Sequence, residues 1–208
     1  MRTANPADID WSATPTQRPL RSMSLPQIHA LLAQALQQRD GLRAAHSIHE
    51  LWMRGDFSQS IEAAMQTVWS VAAESIPDWL PMQYVEWLPL AYEVAARFTR
   101  ERRGRSNLYL VLLDYRDSRP EARGDPASSA YGSGFGIYVG MSRYAPAQRF
   151  DQHKAGIRSA GVVLKRGLEV LTGPTQHLQG MTRAQASEVE VALGEALRDA
   201  GLFVKGGH

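Results

Sequence analysis

Apolar residues recur three and four apart from residue 25 onward, and a continuous apolar run replaces that spacing after residue 107. Ser24 precedes Pro26 where a helix cap and first turn would stand, and Ile28, Leu31, Leu32 and Leu36 then share one helical face. Further helical stretches are expected from about Ile48 to Met53, from Gln59 to Ala73 and from about Tyr84 to Arg102. Residues 1–22 are rich in Pro, Thr, Arg and Asp without a sustained apolar period, and read as a disordered or extended tail. Residues 23–102 then form a helical accessory region.

The run Asn107-Leu108-Tyr109-Leu110-Val111-Leu112-Leu113 places apolar side chains on both alternating faces, as a central covered strand requires. Residues 114–134 are polar and rich in Pro, Gly and Ser, which predicts a long exposed connection. A second strand is expected over Phe135 to Gly140, a short helix from Pro146 to about Lys154, and a third strand over Gly161 to Leu171 with an interruption at Lys165-Arg166-Gly167. Thr182 with Gln185 fits a capping box opening a last helix, and Gly201 stands where that helix would end in a left-handed residue. The expected fold for residues 103–208 is α+β: a small, mainly antiparallel three-stranded sheet flanked by helices.

The chain has 208 residues and no cysteine, which leaves oxygen and imidazole as the only metal donors and favours a hard ion such as magnesium over zinc. No apolar run approaches the roughly 20 residues of a membrane helix, so a cytoplasmic location without membrane partners is expected. The formal charge is only +2. Residues 142–166, however, carry Arg143, Arg149, Lys154, Arg158, Lys165 and Arg166 against the single acid Asp151, an excess suited to phosphate contact.

Hydrolysis of a phosphodiester needs a proton acceptor for water, positive charge for the phosphoryl oxygens and help for the departing alkoxide. Tyr109 and Tyr138 each offer a mid-strand phenol. Arg149 and His153, four apart on a helix, stand one above the other and can reach one phosphate, the guanidinium by paired hydrogen bonds and the imidazole by proton exchange. On the last helix Val189, Leu193, Ala196, Leu197 and Ala200 share an apolar arc. Glu190 stands about 100° from Val189, at the edge of that arc, whereas Glu188 and Glu195 point toward solvent. Glu190 is therefore the carboxylate expected against a metal beside the sheet.

Tyr109, Ile137-Tyr138-Val139-Gly140, Arg149, His153 and Glu190, in this order, resemble the GIY-YIG nuclease family over residues 107–208, about half the chain. The stretch from Arg149 to Gly156 and the long insertion between the tyrosine strands are similar to its restriction-endonuclease-like branch. Only the tyrosine of the family's first tripeptide is present, and no asparagine follows the glutamate helix in residues 201–208. The resemblance implies a Mg2+- or Mn2+-dependent DNA endonuclease of restriction type. It assigns Tyr109 or His153 to activating water, Tyr138 and Arg149 to holding phosphate, and Glu190 to one divalent ion. Arg143, Lys154, Arg158, Lys165 and Arg166 would contact DNA, and a homodimer would cut both strands. Two alternatives use the same residues: an antibacterial effector DNase bound by an immunity protein, and a catalytically inactive DNA-binding module.

Other patterns carry less. His46, His49 and Glu50 lack the paired-histidine spacing of a metalloprotease helix. Residues 132–136 form a Gly-rich stretch that precedes a strand rather than a helix, and Trp52, Trp69, Trp79 and Trp87 of the helical region read as core anchors or a partner surface.

Overall fold

The computed structural model describes residues 9–13, 18–56, 58–71, 75, 85–117 and 134–207. The connection expected over 114–134 lies mostly outside them, as do Trp79 and the prolines at 77 and 81. The chain divides into two compact units, residues 1–84 and 85–208.

The first unit is helical. Helix α1 (Leu25–Gln37) begins at Ser24, where the reciprocal Ser24/Gln27 capping box forms. It pairs with α2 (Gly41–Met53), and α3 (Gln59–Val71) packs on α2. Helix α2 starts two turns earlier than its apolar period predicts. Asp40 caps it by accepting from the Arg43 N–H, and the buried but polar His46, Ser47, His49 and Glu50 obscure the apolar face. Glu50, 1% exposed, is gripped by Arg18 Nη2 and Arg54 Nε, each 2.7 Å away. The Arg54 guanidinium also donates to the carbonyls of Leu20, Arg21 and Met23. Residues 18–22, expected to belong to a loose tail, are thus tied down by two guanidinium groups, and Leu20 is fully buried.

In the second unit, β1 (Arg103–Asp114) pairs antiparallel with both β2 (Phe135–Ser142) and β3 (Gly167–Leu171), while β4 (Val204–Gly206) lies parallel to β2. The sheet order is β3-β1-β2-β4. The class is α+β as expected, but among the described residues the sheet has four strands and is mixed. Residues 108–113 are buried at every position, as a central strand covered on both faces must be. Helix α4 (Leu88–Ala95) belongs to this unit and packs on α7 (Thr172–Thr175) and α8 (Arg183–Asp199). It stops well short of Arg102. Gln185 accepts from the Arg102 N–H and donates to the Thr99 carbonyl, holding that segment out of the helix.

Between β2 and β3 lie α5 (Pro146–Lys154) and α6 (Gly161–Arg166). The third strand is shorter than expected because its first half is α6. Val163 docks there against Tyr109, Val111 and Leu113, a tertiary contact that overrides the strand preference of a Val-rich segment. Thr182 caps α8 through its hydroxyl, but Gln185 spends its side chain on residues 99 and 102 instead of completing the capping box. Gly201 takes φ +89°, and Leu202 N–H reaches the Leu197 carbonyl, closing the helix in a Schellman motif.

Candidate active site and adjoining arginine groove

Register places both tyrosines on one face. Tyr109 of β1 stands opposite Gly140 of β2, and Tyr138 precedes that glycine by two residues. The ring centroids of Tyr109 and Tyr138 are 6.1 Å apart. A Cβ at Gly140 would lie 2.7 Å from the Tyr109 hydroxyl and 2.7 Å from the Tyr138 ring, so only glycine lets both phenols settle there. Gly206, at φ +74°, borders the other side of the Tyr138 ring.

Helix α5 lays His153 and Arg149 over this face. The His153 ring is 6.2 Å from Tyr109 and 6.1 Å from Tyr138 between centroids, and its Nε2 is 3.0 Å from the Tyr109 hydroxyl. The other ring nitrogen, Nδ1, accepts the Ala160 backbone N–H at 2.9 Å. Burial, with the Arg149 charge nearby, lowers the His153 pKa to about 4. Burial also pushes the Tyr109 hydroxyl well above the ordinary phenol value; the neighbouring Tyr138 adds to this and Arg149 opposes it.

Arg149 is fixed by neutral acceptors that leave its charge uncancelled: the Arg158 carbonyl at 2.8 Å, Gln152 Oε1 at 3.2 Å and the Ile157 carbonyl at 3.3 Å. Arg158 adopts φ +45°, a costly conformation for a residue with a Cβ, in the loop that turns those carbonyls toward Arg149.

Helix α8 contributes Glu190, half-buried as its position at the edge of the apolar arc predicts, while Glu188 and Glu195 are exposed. Burial raises its carboxyl pKa, and the Met141 backbone N–H acts in the opposite direction. The Tyr138 phenol is raised by burial first and by the Glu190 carboxylate second, with Tyr109 and Arg149 opposing. Tyr138 therefore lies beside the rings of Tyr109 and His153 and within the electrostatic reach of Glu190 and Arg149. The five expected residues lie at two depths. Tyr109 and His153 are 2% and 1% exposed, whereas Tyr138, Arg149 and Glu190 are half-buried.

A groove of about 690 Å³ opens beside Arg149 and Met141. Four of the residues lining it are arginines, Arg143, Arg149, Arg158 and Arg183, and Tyr144 completes its polar wall. Arg143 donates to the Tyr144 hydroxyl at 2.9 Å and lies over its ring. Asn107 holds this wall in place by donating to the Tyr144 carbonyl, while its own side-chain oxygen accepts the Gly180 N–H.

Of the residues expected to contact DNA, Arg143 and Arg158 line this groove. Lys154 directs its ammonium to the carbonyls of Leu164 and Gly167, and Arg166 is paired with Asp117 and the Asp114 carbonyl over the Tyr115 ring. Lys165 is exposed and does not line the groove. Arg183, Tyr144 and Asn107 escape the sequence reading. Arg183 lies outside the basic stretch that drew attention, and only the packing of α8 brings it alongside.

No group of three or more His, Asp or Glu able to hold a metal occurs among the described residues. Glu190 is a single carboxylate. That donor suits magnesium or manganese, which bind through one or two carboxylates plus water and phosphate oxygens, and does not suit a zinc site built from protein ligands. Among the described residues no helix is long and apolar enough to cross a membrane. No family model, curated protein or solved structure matches the chain.

Proposed function

We propose that the chain is a magnesium- or manganese-dependent DNA endonuclease of the GIY-YIG kind, acting in restriction. The supporting observation is the gathering of two phenols, a guanidinium, an imidazole and a carboxylate from β1, β2, α5 and α8 around one point beside an arginine groove. Arg143, Arg158 and Arg183 hold the phosphates of a nucleic-acid backbone. Arg149, anchored by carbonyls yet keeping its charge, orients the scissile phosphate and favours the charge that builds on its oxygens. Tyr138, the half-buried phenol, lies where it can hydrogen-bond attacking water. Tyr109 and His153 stand behind it, too enclosed to meet bulk water. Glu190 is the carboxylate that would hold a divalent ion, which would supply Lewis-acid stabilisation of developing negative charge.

A plasmid-nicking assay with Mg2+ and Mn2+ tests the reading. Wild-type protein cuts, while Glu190→Ala and Arg149→Ala bind DNA but do not cut. Wild-type protein that binds DNA with strong salt dependence yet never cuts with either ion overturns it in favour of a non-catalytic DNA-binding module.

A further inference from the structure

His153 and Tyr109 are both almost completely enclosed, and the hydrogen bonds on the two imidazole nitrogens are unequal in what they permit. A backbone N–H can only donate, so the Ala160 bond requires a lone pair on Nδ1. A neutral imidazole with a bare Nδ1 carries its proton on Nε2, and Nε2 is the atom 3.0 Å from the Tyr109 hydroxyl oxygen. His153 therefore donates to Tyr109. The alternative tautomer and the imidazolium both put a hydrogen on Nδ1 facing the Ala160 N–H, which breaks that bond. Ser159, whose hydroxyl donates to the His153 carbonyl at 2.9 Å, ties the same turn to the end of α5 and keeps residue 160 in place.

With its oxygen already accepting from His153, Tyr109 has its own proton to give. The ring beside it on the same sheet face is that of Tyr138, 6.1 Å away between centroids, and both phenols crowd the Gly140 position. The donors thus run in one direction, from the Ala160 amide through the imidazole ring's fixed tautomer to Tyr109, whose own proton is left for the neighbouring half-buried Tyr138.

We infer that His153 is a positioning residue, locked as a hydrogen-bond donor to Tyr109, and that it turns the Tyr109 hydroxyl proton toward Tyr138 instead of accepting a proton from water. The catalytic meaning of this arrangement rests on the nuclease reading; the hydrogen-bond direction does not.

Two measurements test it. Long-range proton–nitrogen NMR of the full-length protein at neutral pH reports an unprotonated Nδ1 and a protonated Nε2 on His153. The opposite tautomer, or a rapidly exchanging ring, overturns the inference whether or not the protein cuts DNA. Paired substitutions then read the role: glutamine at 153 can still donate from the Nε2 position, whereas glutamate of the same length accepts. His153→Gln keeps nicking within about tenfold of wild type, less than the roughly 10²–10⁴ lost with a general base, which glutamine cannot replace, and His153→Glu, which puts an acceptor against the Tyr109 oxygen, loses about a hundredfold or more. The reverse ranking, with both variants folded by circular dichroism, overturns the inference. A wild-type protein that shows the stated tautomer but cuts nothing removes the nuclease reading and leaves the hydrogen-bond direction standing.

Discussion

Tyr109 and Gly140 face one another across β1 and β2, and the tyrosine hydroxyl occupies the space that any side chain at 140 would need. The same glycine accommodates the Tyr138 ring. Gly140→Ala therefore forces a methyl group against two enclosed aromatic rings, at a cost of about 1–3 kcal/mol. The expected result is a clearly lowered thermal midpoint together with loss of cutting. A variant as stable and active as wild type would show that the phenols are not packed over this position.

Glu190 is held in a place that favours its neutral form. Its folded pKa lies above that of the unfolded chain, so the ionised carboxylate opposes folding at neutral pH, and this opposition fades as pH falls through the folded value. Glu190→Gln should abolish metal-dependent cutting while leaving the urea midpoint at pH 7 equal to or above that of wild type, the gap closing toward acid pH. A lower midpoint at pH 7 would mean that the carboxylate is there for stability.

His153 works in the opposite sense. Its folded pKa is lowered to about 4 from 6.5, so the unfolded chain takes up the proton first. The neutral ring's contribution is fully present above pH 6.5 and is lost as pH falls toward 4, by at most about 3 kcal/mol. Urea melts of wild type between those limits should show stability falling with acidity, and His153→Gln should flatten the slope. An unchanged slope in the variant refutes this assignment.

The arginine groove makes a prediction about salt. Arg158→Ala and Arg183→Ala should each reduce the slope of log affinity against log salt by about 1 on duplex DNA, as loss of one phosphate contact does. Arg166→Ala, whose guanidinium is paired with Asp117, should leave that slope unchanged. Equal effects at all three positions would place the DNA elsewhere.

In the helical unit, Glu50→Ala removes the shared partner of Arg18 and Arg54, both of which still reach solvent, and should cost about 1.5–3 kcal/mol. Chemical denaturation measures it directly. A loss below about 1 kcal/mol would reduce the two ion pairs to surface contacts.

Short-range signals account for much of this architecture. A doubly apolar run at residues 108–113 reads as a covered strand, and Ser24, Thr182 and Gly201 mark helix ends because caps satisfy backbone groups within a few residues of themselves. The side on which Glu190 would point was readable for the same reason: helical periodicity is a local property. The failures share a different origin. The strand expected over 161–171, with its interruption at 165–167, is helix in its first half because Val163 has a cluster on β1 to fill. Residues 96–102 were read as helix and are held in place by Gln185, more than 80 residues away.

The candidate site divides along the same line. Residue order and spacing were enough to nominate Tyr109, Tyr138, Arg149, His153 and Glu190, since side-chain chemistry and element periodicity are written in the chain. Depth, partner and direction were not. That Tyr109 and His153 lie beneath Tyr138, that Ala160 settles which imidazole nitrogen bears the proton, and that Arg183 joins Arg143 and Arg158 while Lys154 and Arg166 turn elsewhere all depend on contacts between segments far apart in sequence. Such contacts exist only once the sheet has closed and α5 and α8 have packed against it, because burial and hydrogen-bond competition are properties of the folded neighbourhood and not of any stretch of chain.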